Sequence, residues 1–336
     1  MSGDGPQSAA RCPSCPESGV TAEGYCETCG RKVPAGDDHT EIDLGLLAGV
    51  TDRGLRHRRN EDAMALATTR TPAGPAALAV VCDGVSTSSH ADEASKSAAQ
   101  AAMGVLLGAV RTGDDLGGAS RRAFDAAQQA LLALAAERGA PGNAPSATFA
   151  AAIVTEREVT VCWLGDSRVY WLAAGNGSGG KQSGNGSGAQ QLTRDDSVAE
   201  ELIARGLPAA DALASPAGHI VTGWIGADLS EAQPHVTTFA PAGEGAVLLC
   251  SDGLWNYEQD AAGLAGRALP AALTDPLGAA SDLVRFAIDA GGADNITVVL
   301  IPFPPRQASA PSADGSPPGT SGEPITRRAP QGEGPR

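Results

Sequence analysis

In this chain an apolar run repeatedly meets an aspartate at its end, and that arrangement restricts what the chain can fold into. Residues 79–84 read AVVCDG, residues 247–253 read VLLCSDG, and residues 294–301 reverse the order as DNITVVLI. Short continuous apolar runs are strands buried on both faces. An ionised carboxylate at the rim of such a core is costly unless it is paired or binds a cation. Asp83, Asp252 and Asp294, each at a strand end, therefore point to one metal site with oxygen ligands.

The rest of the composition narrows the partners. A chain of 336 residues with 42% hydrophobic content can bury one large core. Its 39 acidic against 24 basic residues give a formal net charge of -15. That charge repels phosphate backbones and argues against nucleic-acid or anionic-membrane binding. No run approaches the roughly 18 apolar residues of a membrane span, and the polar start MSGDGPQSAA has no signal-peptide pattern, so a cytoplasmic protein is expected. Cys82, Cys162 and Cys250 each lie inside an apolar run and read as buried thiols.

Four other cysteines form two CxxC pairs, Cys12–Cys15 and Cys26–Cys29, separated by ten residues. Each pair presents two thiolates from one tight turn, and two turns complete a tetrahedral site for a structural Zn²⁺. Redox or disulfide chemistry is the competing explanation, but a redox CxxC needs a βαβ context that this segment lacks. Residues 1–11 are expected to be disordered, 12–31 to form the zinc-ribbon-like segment and 32–41 to be a linker.

The main domain is expected to span residues 42–302. LGLLAGV, from Leu44, reads as a strand that ends at Asp52, and a charged stretch follows with Arg53, Arg56, His57, Arg58 and Arg59 ahead of Asn60, Glu61 and Asp62. Guanidinium groups beside an acidic pair can hold a phosphate next to a metal, although a charged hairpin turn explains the same residues. Two long helices are predicted after Asp83, over residues 91–111 and near Phe124 to Leu134, from apolar residues at helical spacing. Strands are predicted at 146–155 and 158–164, with Gly165 to Arg168 turning into a further strand as a hairpin, and Asp166 reads as a structural turn residue. Residues 173–190 are rich in Gly and Ser and are expected to form a disordered loop. Asp196 or Ser197 caps a short helix running to Gly206. Strands at 236–239 and 246–250 lead to Asp252, helices near 257–269 and 277–290 precede Asp294, and residues 303–336 are expected to be a disordered, proline-rich tail.

The ordered motifs TDRGxxxxxNEDA, VCDGV, LGDSRVYWL, LTRDDS, LLCSDGLW and GGADNITVV together resemble the metal-dependent protein phosphatases of type 2C, bacterial members included. The resemblance covers about residues 42–302. It implies an α+β fold, an αββα sandwich of two antiparallel sheets flanked by helices, to which the four-cysteine zinc knuckle is added. It also implies a centre of two Mn²⁺ or Mg²⁺ ions. Asp83 would bridge both, the carbonyl of Gly84 would bind one, and Asp252 and Asp294 would bind the other. Asp62 and Glu61 would act through metal-bound waters. The implied activity is hydrolysis of phosphoserine and phosphothreonine in proteins by in-line attack of water or hydroxide bridging the ions, opposing a Ser/Thr kinase. A monomer is expected.

Three departures from the family pattern bear on the site. An arginine that grips the substrate phosphate normally stands where this chain has His57, so Arg56 or Arg58 would have to substitute, or His57 would supply a weaker contact. The glycine-rich stretch of bacterial members is replaced by DGVSTSSH, a stiffer backbone. The acids that help bind a third metal align with Asn143 and Asn256, and no third ion is assigned. Two further readings stand beside the hydrolase: a weakly active or inactive relative that binds phosphoproteins, and an adaptor whose zinc segment captures a protein partner.

Overall fold

The computed structural model describes residues 15, 18, 19, 21, 26–28, 38–71, 73–138, 143–175, 188–229 and 232–305. Its elements run β1 (His39–Asp43), β2 (Ala48–Asp52), β3 (Asp62–Thr71), β4 (Gly74–Asp83), α1 (Ala91–Thr112), α2 (Leu116–Arg138), β5 (Ser146–Ala147), β6 (Phe149–Thr155), β7 (Val159–Leu164) and β8 (Arg168–Ala173). They continue with β9 (Gln190–Gln191), α3 (Val198–Ala204), α4 (Ala209–Leu213), β10 (Ile225–Gly226), β11 (His235–Phe239), β12 (Gly245–Cys250), α5 (Asp252–Trp255), α6 (Ala261–Ala272), α7 (Pro276–Ala290) and β13 (Ile296–Phe303).

Two antiparallel sheets face each other. One has the strand order β1-β2-β13-β12-β8-β9 and the other β11-β7-β6-β4-β3, with β10 and β5 forming a small separate pair. The strands that read as uninterrupted apolar runs are the central ones, because both of their faces are covered. On β4, Leu78, Val80 and Cys82 pack with α1 and α2, while Ala77, Ala79 and Val81 enter the layer between the sheets. On β12, Leu248 and Cys250 face α6 and α7, while Val247 and Leu249 enter the same middle layer. The molecule is thus α+β, with helices, sheet, sheet and helices in four layers. The three central cysteines are fully buried, and burial pushes the Cys162 thiol up to about 12, well away from reactivity.

Local chemistry sets several boundaries. Ser197 caps α3, its side chain accepting the N–H of Glu200, and Asp275 caps α7 in the same way through Gly278. Residues 44–50 are not one strand. A tight turn interrupts them between β1 and β2, with Gly45 at φ 74 and its N–H donated to Asp43 Oδ1 at 2.8 Å. The apolar run concealed the turn because Leu46 and Leu47 are nonetheless buried. β1 begins at His39, inside the residues expected to be a linker.

The hairpin expected around Gly165 is also corrected. β7 pairs with β6 and β11 in one sheet, while β8 pairs with β12 and β9 in the other. Residues 165–167 therefore carry the chain across from sheet to sheet, and Asp166, expected at a hairpin turn, is buried at 5% exposure. Of the Gly/Ser loop, residues 176–187 lie outside the described residues, as do 306–336 of the tail. Cys12 and Cys29 lie outside them too, and with them the expected zinc site; Cys15 is half-buried and Cys26 buried.

Candidate active site

Both sheets contribute carboxylates to one end of the sandwich. Asp62 opens β3 and Asp83 closes β4, and the two are register partners. Asp252 follows β12 by two residues and starts α5, and Asp294 stands two residues before β13. β12 and β13 are themselves neighbours, so the second pair of acids meets the first across the middle layer. The three aspartates singled out from the sequence thus gather at one place, with Asp62 beside them.

Hydroxyl groups fix Asp62. Its Oδ2 accepts from Ser251 and from Thr297, each at 2.7 Å. With its proton given to Asp62, Thr297 Oγ1 accepts from Thr51 at 2.7 Å, and Thr51 in turn accepts from the Asn60 amide at 2.8 Å. The Thr297 backbone N–H is donated to Ser251 Oγ at 3.0 Å. Asp62 Oδ1, in contrast, is buried with no hydrogen-bond partner, and so is Asp252 Oδ1. Unsatisfied anionic oxygens inside a protein are expensive, and two in one cluster of acids are what a cation site requires.

Mutual repulsion shows in the ionisation of the acids. Burial raises the Asp83 pKa well above the usual carboxylate range, and the charges of Asp62, Asp252, Asp166 and Asp294 add to it. Burial likewise lifts Asp252, helped by Asp166, Asp294 and Asp62. Asp62 is pushed up to about 6 by burial, partly opposed by its two hydroxyl donors and reinforced by Asp294. Asp166 is pushed up to about 7 by burial and by Asp195, with Arg168 opposing. Asp166 therefore belongs electrostatically to the site, which the sequence reading missed. No local signal marks that burial, which follows from the crossing of GDSR between the two sheets.

Among the described residues no three His, Cys, Asp or Glu side chains close into a compact cage. The open arrangement suits a hard divalent ion that keeps much of its water shell and takes few carboxylates. The backbone is fitted to close approach at Gly84. A Cβ there would lie 2.5 Å from the Ala91 carbonyl oxygen and 2.8 Å from that of Glu61, so only glycine lets the strand end reach this position. Gly84 donates its N–H to Glu61 O at 3.1 Å, and the Asp83 N–H is donated to Thr148 Oγ1 at 3.0 Å. The residues present fit a centre for divalent cations.

Arg168 supports the site from behind. Its guanidinium makes a buried bidentate pair with Asp195, with Nη2 to Oδ2 at 2.7 Å and Nε to Oδ1 at 3.0 Å. The same group lies 3.8 Å from the ring centre of Trp255, whose indole N–H is donated to Asp166 O at 2.9 Å. Asp166 and the short helix carrying Asp252 are thus held by one network.

The basic stretch lies beside the acids. Arg56, His57, Arg58, Arg59 and His90 line an open cleft of about 520 Å³ together with Glu61. His57 Nε2 stands 3.1 Å from Asp294 Oδ1. Of the residues aligned with third-metal acids, Asn256 donates its amide to Asp252 Oδ2 at 3.1 Å, and Asn143 accepts from Ser89 through its backbone carbonyl.

The chain is similar to known proteins. The family model described as Protein phosphatase 2C matches residues 53–270. Protein phosphatase PhpP of Streptococcus pneumoniae is 32% identical over 152 residues, which is 44% of this chain and 54% of PhpP; the chain spans about half the length of the curated relatives it matches. The crystal structure of the Mycobacterium tuberculosis serine/threonine phosphatase PstP/Ppp aligns over 76% of this chain and 97% of its own, with a TM-score of 0.59 and 26% identity. The catalytic domain of PstP in complex with two manganese ions aligns over the same shares at 25% identity and a TM-score of 0.59. Since the matched region takes in the basic stretch, the crossing between sheets and two of the three strand-end aspartates, the chain belongs to the protein phosphatase 2C family.

Proposed function

We propose that this protein is a metal-dependent serine/threonine protein phosphatase. The observation that carries the reading is the convergence of Asp62, Asp83, Asp252 and Asp294 from two sheets, with buried, unpartnered oxygens on Asp62 and Asp252, in a member of this family. Asp83, Asp252, Asp294 and the Gly84 carbonyl are the groups that would hold two Mn²⁺ or Mg²⁺ ions, and Asp62 and Glu61 would act one layer further out. Divalent ions there would offset charge on the phosphoryl oxygens and make water more acidic.

The chain's own residues do the rest. Ser251 and Thr297 hold Asp62 by one oxygen, which leaves Oδ1 as a hydrogen-bond acceptor for a water in the site. Arg56 and Arg58, at the mouth of the cleft, carry the guanidinium groups that would bind phosphate. His57 stands against Asp294, and this favours assigning the phosphate to its neighbours.

Phosphorylated proteins are the proposed substrates, and an opposing Ser/Thr kinase is the implied counterpart. The two CxxC pairs, Cys12–Cys15 and Cys26–Cys29, support a structural Zn²⁺ by their spacing, with protein capture as the role that fits a knuckle poor in basic residues. Manganese-dependent hydrolysis of a phosphothreonine peptide by the full chain, compared with Asp83→Asn and Asp252→Asn, tests the proposal. Metal-dependent turnover that collapses in both variants is expected. An inactive wild type that still binds phosphopeptide would replace the hydrolase with a binding protein.

A further inference from the structure

The cleft beside the acids presents two guanidinium groups that no described acid pairs, although Glu61 and Asp92 are also in its lining. Of its basic residues, Arg59 is engaged by Asp92 at 3.3 Å, His90 by Glu93 at 3.3 Å and His57 by Asp294 at 3.1 Å. Arg56 and Arg58 are both exposed, and among the described residues neither has an ion-pair partner. They stand in a chain whose formal net charge is -15, where free acidic partners are abundant.

These two arginines project from a braced turn. Arg53 donates Nη1 to the His57 carbonyl and pairs through Nε with Asp38 at 3.2 Å. The Asn295 amide is donated to the carbonyls of Arg53 and Arg59, which pins both ends of the turn to the segment carrying Asp294. Guanidinium groups on a fixed backbone lose less freedom on binding an anion than groups on a loose loop. One guanidinium can take two phosphate oxygens, and that leaves the other for a second anion.

We infer that this cleft selects phosphoproteins that carry further negative charge close to the phosphorylated residue, read by Arg56 and Arg58. The inference rests on the phosphatase reading and deepens it by naming the substrate class. An acidic side chain or a second phosphate near the first would meet the unclaimed guanidinium. A basic flank would meet repulsion in the cleft, although the protein as a whole attracts it.

The test uses the full chain with Mn²⁺ and three phosphothreonine peptides of equal length, flanked by Glu, by Ala or by Lys. The expected kcat/KM is about fivefold higher for the Glu peptide than for the Ala peptide, the size of a partly exposed charge contact, and lowest for the Lys peptide. The advantage should shrink as NaCl rises. In Arg56→Gln and in Arg58→Gln, made singly so that one guanidinium remains for the phosphate, the Glu-to-Ala ratio should fall towards one in at least one variant, and in the matching single lysine variants it should largely persist. Equal kcat/KM for the Glu and Ala peptides in the wild type, or a ratio unchanged in both single glutamine variants, overturns the inference while leaving the phosphatase intact. If no peptide and no p-nitrophenyl phosphate is turned over, the phosphatase reading fails instead. Fluorescence anisotropy with the same peptides then decides the charge preference: tighter binding of the Glu peptide upholds it and equal binding removes it.

Discussion

Asn295 accepts the backbone N–H of Glu61 at 2.8 Å while donating its amide to Arg53 O at 2.8 Å and to Arg59 O at 3.1 Å. One side chain, exposed by only 3%, therefore joins the basic turn to the segment that bears Asp294. Asn295→Ala should cost about 1 to 2 kcal/mol by taking the partner from the part-buried Glu61 N–H and the Arg53 and Arg59 carbonyls. Asn295→Asp should fare no better, because a carboxylate cannot donate to the two carbonyls. Denaturant unfolding gives the stability, and the kcat/KM of a phosphopeptide should drop more than the unfolding midpoint alone accounts for.

Without metal, the acid cluster should oppose folding at neutral pH. Asp62 and Asp166 have folded pKa values raised to about 6 and about 7, and burial with the neighbouring acids raises Asp83 and Asp252 well above the usual carboxylate range. A carboxyl raised on folding binds more protons in the native state, so stability falls as pH climbs from the unfolded value near 4 through the folded one. Metal-free protein should thus lose thermal stability between about pH 4 and pH 7. Mn²⁺ should restore it at pH 7, where the ionised acids gain a counter-charge. A Tm that rises over this range in EDTA would contradict the cluster.

The Arg168–Asp195 pair is buried on both sides, at 6% and 5% exposure. Arg168→Met alone should destabilise by about 3 to 5 kcal/mol, since Asp195 would remain charged and unpaired. Arg168→Met/Asp195→Leu should recover much of that loss. Because the pair also steadies Trp255 and Asp166, Mn²⁺ affinity by isothermal titration should stay weakened in the double variant even where stability returns.

His39 carries the opposite sign. Burial disfavours its protonation, but the bond and charge of Asp52, at 2.7 Å from Nδ1, and those of Glu41 outweigh it, and the net effect raises its pKa. A histidine raised on folding stabilises most below its unfolded pKa near 6.5, and the benefit is lost as pH rises through the folded value. Stability should therefore decline above pH 6.5 in wild-type protein held with saturating Mn²⁺. In His39→Ala that part of the decline should vanish.

Much of this arrangement was legible in the residues. Asp83, Asp252 and Asp294 could be found because a carboxylate ending an apolar run has few physical explanations. Central strands announced themselves by burial on both faces, and α1 and α2 by their helical spacing. Two features were hidden for a common reason, which is that sheet membership is a long-range property. The turn at Gly45 lies inside a run whose leucines stay buried on either side of it, so apolarity marked the burial and not the bend. The crossing at Asp166 resembles any tight turn until β7 and β8 are known to belong to different sheets. His57 was visible as a departure, yet its contact with Asp294 joins residues 237 positions apart and no local pattern encodes it.

Two of the strand-end acids, Asp62 and Asp83, ride on one sheet, and Asp252 and Asp294 ride on the other. Between the sheets lie Leu47, Ala79, Val81, Leu249, Val299 and the fully buried Trp171, which meets Phe239 and Phe303 edge-on. The thickness of that filling is the gauge of the gap across which the two halves of the site face each other. Side chains far from the acids are in this sense shims, and the calibre of the opening between the two halves is set by hydrocarbon volume deep in the molecule.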